Sequence, residues 1–410
     1  MVLATNILIG IIGKTNVGKS TLFSALTMIP VKIENRPFVT IEPNVGVGYV
    51  RTKCVHTELG LPKCDARNSL CVDGDRFIPI KLMDVAGLIR GAHEGRGLGN
   101  KFLDDLRQAD ALIHVIDAAG STDEEGNPVK PGSHDPYKDI IDIEREIDMW
   151  MFSIIKRDWE KFSRGLDQLS YSEALAKLSQ RLSGLSIKHS HVARAIEELE
   201  LDRKKFSLWS NDDLFRFTVR LRELSKPMII AANKADLPEA RDILKELIKR
   251  SGNRIIIPIS AEYELALRKA SSNKIIRYLP GDSDFEIMSR ERLTPLQEKA
   301  LERIRDFMKI NNGTGVQRLI NTLVFDVLEM IPVYPVEDPN KYTDSQGAVL
   351  PDVVLVKRGT SAREFAYMIH TDLGEGFLYA VNAKTRSRVG AEYILERNDV
   401  IKIVSARRKS

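Results

Sequence analysis

The sequence predicts an α/β fold: one sheet of buried strands carrying helices, broken by a helical insertion and followed by a small strand-rich unit. Three observations predict it. Apolar runs of strand length recur at residues 5–12, 76–88, 111–119, 226–236 and 254–262, and motif residues sit at their C-terminal ends. More than a hundred residues separate the strand ending at Ala119 from the one beginning near Pro227, far more than an ordinary crossover. The last eighty or so residues alternate short strands with one helix.

Composition sets the outer bounds. A chain of 410 residues with 43% apolar content suggests two to four domains with ample cores. Its longest apolar runs fall far short of a bilayer span, and residues 1–12 lack the pattern of a signal peptide, so a cytoplasmic location is expected. A net charge of +4 is too small to argue for nucleic acid, and the basic tail at 407–410 reads as a solvated end. Three cysteines exclude a disulfide framework. Cys54, His56, Cys64 and Cys71 could supply four zinc ligands, but without the short CxxC spacing the favoured reading is small buried residues before the next strand.

The first element, TNILIGII at 5–12, breaks at Gly13 into GKTNVGKS and then runs on as TLFSALT, a good helix start. Strand, glycine-bounded loop and helix with GxxxxGK[ST] spacing make a phosphate-binding loop. Gly13 and Gly18 let the backbone curl so that N–H groups, including those of Asn16 and Val17, point at phosphate oxygens. Lys19 at the helix start is expected to reach the β and γ phosphates and the Ser20 hydroxyl to coordinate Mg²⁺, with Thr21 also among the nucleotide-binding residues.

The next segment, residues 34–50, offers Thr40 as a sensor of the γ-phosphate and a Mg²⁺ ligand. The strand RFIPIKLMDVAGL ends at Asp84, placed to hold Mg²⁺, commonly through water, and at Gly87, whose N–H can approach the γ-phosphate. Five glycines between Gly87 and Gly99 suit a segment ordered only when something holds it.

Two later strand ends complete a base site. In NKAD, Asp236 can accept from guanine N1–H and the 2-amino group together, a pairing adenine cannot return. Lys234 can cover the base plane, Asn233 can tie this loop to the phosphate loop, and in SAE, where Ser260 precedes it, the Ala261 N–H can meet guanine O6.

Between these strands, residues 120–136 read as a turn-rich acidic loop. Apolar residues at helical spacing then begin at Ile140 and recur to Leu224, with a capping box at Ser210 and Asp213. A helical hairpin or short coiled coil lying on the sheet domain is expected, either a partner-binding arm or padding. Thr294, Pro295 and Gln297 open another helix, which stops at Asn312–Gly313, and a further helix is expected from Val316 to Met330. Beyond Pro332, strands, a helix opening at Thr360 or Ser361 and running to Gly374, and further strands give a β-grasp arrangement without a catalytic set. His370 reads as a helix-end residue.

Together, GKTNVGKS, PFVTIEPN, DVAGL, GAHEGRGLGNKFL, NKAD and SAE resemble the Obg-like P-loop GTPases, most closely the YchF-type branch in its archaeal form, over nearly the whole chain. The resemblance implies a P-loop NTPase (Ras-like) G domain over 1–135 and 226–328, an inserted helical domain over 136–225 and a C-terminal TGS β-grasp domain over 329–410. It also implies GTP/GDP with Mg²⁺, and association with ribosomes or RNA through the TGS domain and the insert. Members that prefer ATP lack an intact NKxD, whereas this chain keeps it, which favours GTP.

Where Ras-type enzymes carry a water-orienting glutamine, this chain has Leu88, a replacement the family shares. Other candidates to assist hydrolysis are Asn16, which resembles the asparagine that helps hold K⁺ in potassium-activated GTPases, His93, and a ribosomal or protein partner. The expected catalytic set is Lys19, Thr40, Gly87 and Asn16. Beside a GTPase switch stand two other readings: a nucleotide-gated binding module with incidental hydrolysis, and ATP as the working nucleotide.

Overall fold

The fold was analysed in a computed structural model, which describes residues 5, 7–28, 44–85 and 105–406. Its main sheet has the order β2-β4-β1-β5-β6-β7, with β3 paired to the first residues of β4, on the side of that strand that β1 takes further along. These strands span Leu8–Ile12 (β1), Val45–Lys53 (β2), Leu70–Val72 (β3), Asp75–Asp84 (β4), Ala111–Asp117 (β5), Met228–Asn233 (β6) and Ile256–Pro258 (β7). The run β4-β1-β5-β6-β7 is parallel, and β2 and β3 pair antiparallel with β4. Parallel strands must be covered on both faces, which is why β5 reads ALIHVID with every residue buried. Register then decides what meets at the edge: Ile11 lies beside Asp84, and Asp117 beside Asn233.

Helix α1 (Lys19–Thr27) follows β1 directly and buries Leu22, Ala25 and Leu26 against one face of the sheet. The helical insertion covers the other face. It runs α3 (Pro136–Lys156), α4 (Trp159–Leu166), α5 (Tyr171–Leu182), α6 (His189–Glu198) and α7 (Asn211–Ser225), after a short α2 (Val55–Glu58) earlier in the chain. The expectation of a hairpin or short coiled coil needs correction: five helices pack around Trp159, Trp209 and Phe217, with the two indoles stacked at 5.5 Å. That core is continuous with Ile12, Met83 and Leu112 of the sheet, because the stripe on α3 is wide enough to serve neighbours on two sides. The buried Asp148–Arg222 pair, 2.8 Å apart, joins α3 to α7.

Helix α8 (Ala240–Arg250) joins β6 to β7, and after β7 come α9 (Ala261–Ser272), the small hairpin β8 (Ile276–Arg277) with β9 (Glu286–Ile287), and α10 (Pro295–Asn311). The α10 capping box of Thr294 with Gln297 forms, and the helix ends at left-handed Asn312. The next helix is shorter than its apolar pattern suggests. α11 (Val316–Asn321) passes into a π turn over Thr322–Val327, and Met330 already belongs to a strand.

The C-terminal unit has sheet order β11-β10-β14-β12-β13, from β10 (Met330–Pro335), β11 (Val354–Lys357), β12 (Phe377–Asn382), β13 (Ser387–Val389) and β14 (Val400–Ser405). The first and last strands lie side by side in parallel, the β-grasp signature, with α12 (Ala362–Ile369) packed through Phe365. The expected single helix to Gly374 breaks at His370. That residue caps α13 (Thr371–Glu375), its Nδ1 accepting from the Asp372 N–H at 3.2 Å.

Candidate nucleotide site

The C-terminal ends of β1, β4, β5 and β6 bring the sequence motifs to one edge. A cleft of about 560 Å³ lies there, lined by Asn16, Gly18, Lys19, Ser20, Thr21, Asn233, Lys234, Asp236, Leu237 and Glu262. Asp236 and Lys19, over two hundred residues apart in the chain, therefore face the same space.

Gly18 is the N-cap of α1 with φ of 96°, and any Cβ on it would collide with the Asn233 side-chain amide. That close approach lets Asn233 Nδ2 donate to the Val17 carbonyl at 2.8 Å, the tie between base loop and phosphate loop that the motifs suggest. Val17 itself is buried and contributes its backbone rather than its side chain. Lys19 Nζ donates to the Lys14 carbonyl at 2.6 Å, and Gly13 provides the turn out of β1. Burial lowers the Lys19 pKa, with the Asp84 carboxylate acting in the opposite sense.

Ser20 Oγ donates to Asp84 Oδ2 at 3.2 Å. Burial raises the Asp84 pKa despite that hydrogen bond and the charge of Lys19. A hydroxyl and a carboxylate converging beside the phosphate loop are hard oxygen donors of the kind Mg²⁺ takes together with phosphate oxygens. Thr40, the third expected ligand, lies outside the described residues, as do Gly87, Leu88 and His93.

At the base end, one backbone donor has a partner within the protein. The Ala261 N–H, expected to face guanine O6, donates to Asn233 Oδ1 at 3.0 Å, because Ser260 caps α9 and turns the helix start towards that side chain. Ser260 and Ala261 are both fully buried. Lys234 adopts φ of 62°, and its Nζ reaches Asp117 Oδ2 at 2.9 Å and Ser121 Oγ at 3.1 Å. Asp117, which motif reading did not single out, is buried behind the cleft and anchors Lys234. Burial opposes its ionisation, yet hydrogen bonds from Ser121 and Lys234 hold its carboxyl below the ordinary range.

Also missed was the role of residues 120–136, expected only to be a turn-rich acidic loop. The segment lies across the phosphate loop. Lys14 Nζ donates to the Thr122 and Asp123 carbonyls at 3.0 and 2.7 Å and pairs with Asp139 of α3 at 2.8 Å. Thr15 Oγ1 donates to the Glu125 carbonyl at 3.1 Å, and Asn16 Nδ2 to the Gly126 carbonyl at 2.9 Å. The Asn16 amide, a candidate for holding K⁺, is thus engaged with this strap.

Comparison with known proteins matches this architecture along its length. The family profile described as "50S ribosome-binding GTPase" matches residues 8–152, "Obg-like GTPase YGR210-like, G4 motif-containing domain" matches 231–338, and "TGS domain" matches 342–405. The chain is 50% identical to the GTP-binding protein MJ1332 of Methanocaldococcus jannaschii, over 97% of this chain and 99% of that one. It is 28% identical to the ribosome-binding ATPase YchF of Bacillus subtilis, over 96% and 97%. The crystal structure of a GTP-binding protein from Pyrococcus horikoshii superposes with a TM-score of 0.77 at 41% identity, covering 98% of this chain and all of the other. With its Ras-like sheet, its motif-lined cleft and its C-terminal β-grasp unit, the chain belongs to the Obg-like, YchF-type family of GTP-binding proteins.

Proposed function

We propose that this protein is a Mg²⁺-dependent GTPase that hydrolyses GTP to GDP and phosphate and works as a ribosome-associated switch. The observation that carries the reading is the shared cleft of Asp236 and the Lys19–Ser20 pair. A carboxylate at one end selects guanine, while an ammonium, a hydroxyl and Asp84 at the other suit a Mg²⁺-bound triphosphate. Lys19 neutralises charge on the β and γ phosphates, and the backbone of Gly13, Asn16, Val17 and Gly18 cradles them. Ser20 and Asp84 would hold the ion, and Thr40 and Gly87, which lie outside the described residues, are the expected partners of the γ-phosphate. Thr21 lines the phosphate end, Lys234 covers the base, and Ser260 and Ala261 brace Asn233 beside it. Leu88 cannot orient the attacking water, so a partner or K⁺ beside Asn16 supplies what the chain lacks.

Ribosome association is supported by the name of the Bacillus relative and by the profile matching residues 8–152, and a route through the β-grasp unit and the insert is part of the proposal. That relative's name is also the observation favouring a second reading, in which ATP is the working nucleotide. Calorimetric titration with GTP, GDP and ATP separates the two. GTP should bind at least a hundredfold tighter than ATP, and Asp236→Asn should erase that preference. Equal affinity of the parent chain for both nucleotides would favour the ATP reading. Turnover with and without ribosomes, in KCl and in NaCl, tests the missing group. A slow rate unchanged in all four conditions would leave a nucleotide sensor in place of an enzyme switch.

A further inference from the structure

Away from the nucleotide cleft, three chain segments bring four metal-ligating side chains together. Cys54 caps α2, His56 lies in its first turn, Cys64 follows in the connecting loop, and Cys71 sits on β3. Their ligand atoms all lie within 4.8 Å of one another. Two separations are informative: Cys54 Sγ to Cys64 Sγ is 3.8 Å, and Cys71 Sγ to His56 Nδ1 is 3.7 Å. A tetrahedral zinc with Zn–S of about 2.3 Å and Zn–N of about 2.0 Å has ligand–ligand edges of roughly 3.5–3.8 Å. Both separations have the length of such edges and are far too long for a disulfide, which needs about 2.05 Å.

Charge gives a second, independent reason. Arg76 is completely buried, and its Nη1 lies 3.2 Å from Cys64 Sγ and 3.9 Å from Cys54 Sγ. Its other hydrogen-bond partners among the described residues are Ser69 Oγ and the carbonyls of Leu350 and Pro351, none of them a carboxylate. A buried guanidinium needs a compensating anion. Asp352 acts on Arg76 through space without a hydrogen bond to it; three thiolates around one divalent ion would carry a net charge of −1 in direct contact with Arg76, whose N–H groups would serve as outer-shell donors to the sulfurs.

We propose that Cys54, His56, Cys64 and Cys71 form a structural zinc site that fastens the C-terminal domain to the nucleotide-binding domain. The closed four-ligand set leaves no position for substrate, as in structural sites. The loop it pins carries the docking contacts. Asp65 and Arg67 N–H groups donate to the carbonyls of Val349 and Pro351 at 2.8 Å, and Asn68 exchanges hydrogen bonds with Val353. Glu58 of α2 pairs with Lys384 at 3.0 Å. Soft sulfur ligands select zinc over Mg²⁺, so the two ions would not compete for this site.

The test is metal analysis of the full chain purified without a metal-binding tag, followed by replacement of the bound ion with Co²⁺. About one zinc per chain is expected, with strong thiolate-to-cobalt charge-transfer absorption after exchange. Cys64→Ser and Cys71→Ser should each cut the zinc content at least tenfold. Absence of zinc together with a weak, thiolate-free cobalt spectrum overturns the site, as does zinc retained undiminished in both variants. Iron at one per chain in place of zinc overturns the assignment of the ion. The cobalt spectrum of the parent chain decides the matter even where a variant fails to fold.

Discussion

At the scale of single residues, the least expected feature is His114 in the middle of β5. It is fully buried, and neither ring nitrogen has a hydrogen-bond partner among the described residues. Such a ring can be held only in its neutral form, and burial, reinforced by Lys19 and Lys14, pushes its pKa from 6.5 down to about 3. Because the folded value lies below the unfolded one, the unfolded chain takes up the proton first as pH falls. The stabilisation is complete above pH 6.5 and is lost progressively as pH drops towards 3. His114→Leu should therefore lose about 2 kcal/mol less than the parent chain between pH 6.5 and about pH 4.5. Parallel denaturation curves at those two pH values check this; an unchanged pH slope would mean the imidazole protonates in place.

At the scale of elements, the strap at 120–136 couples the phosphate loop to α3. Gly126 has φ of 86°, and a Cβ there would strike Thr15 of the phosphate loop. Gly132, in the same segment, has φ of 83° with nothing within 4 Å of its Cβ position. Both Gly→Ala changes carry the backbone cost of a left-handed alanine, about 1 kcal/mol, but only Gly126→Ala pushes the strap off Thr15 and Asn16. Gly126→Ala should weaken nucleotide binding about tenfold and Gly132→Ala hardly at all, as read by titration calorimetry. Equal losses would reduce the strap to a stability feature. This element also marks where sequence reading stops. GKTNVGKS, Asp84 and NKAD were legible because each combines local spacing with a strand end, and a parallel sheet aligns strand ends. The Lys14–Asp139 and Asn16–Gly126 contacts join positions more than a hundred residues apart, and a turn-rich acidic stretch gives no sign of what it will cover. The Ala261 N–H bond to Asn233 was not legible for a related reason: the Ser260 cap decides which way that N–H points. Cysteine spacing, too, was uninformative, because the antiparallel pairing of β3 with β4, not chain distance, brings Cys71 back to Cys54.

At the scale of the whole molecule, the domain boundaries drawn from sequence cross a continuous core. Tyr334, Val336, Leu350, Val353, Leu355 and Val400 of the C-terminal unit belong to the same buried cluster as Ile9, Leu22 and Ile113 of the nucleotide-binding domain. Tyr334 is fully buried beneath the Arg76 guanidinium, 5.6 Å from its ring centroid. Intrachain domain interfaces are usually small and polar and let their partners unfold separately. A shared apolar core instead makes each unit lose its packing when the other melts. At roughly 2 kcal/mol for each buried large apolar side chain, the burial that the C-terminal unit shares with the sheet domain is comparable to the whole stability of a unit of this size. Calorimetry should therefore show a single transition for the sheet domain and the C-terminal unit, with calorimetric and van't Hoff enthalpies in agreement. Added nucleotide, although it binds at the opposite edge of the sheet from β3, should raise the melting of both units together. A low-temperature transition confined to the C-terminal unit and indifferent to nucleotide would show that the cluster is a contact surface between independent domains.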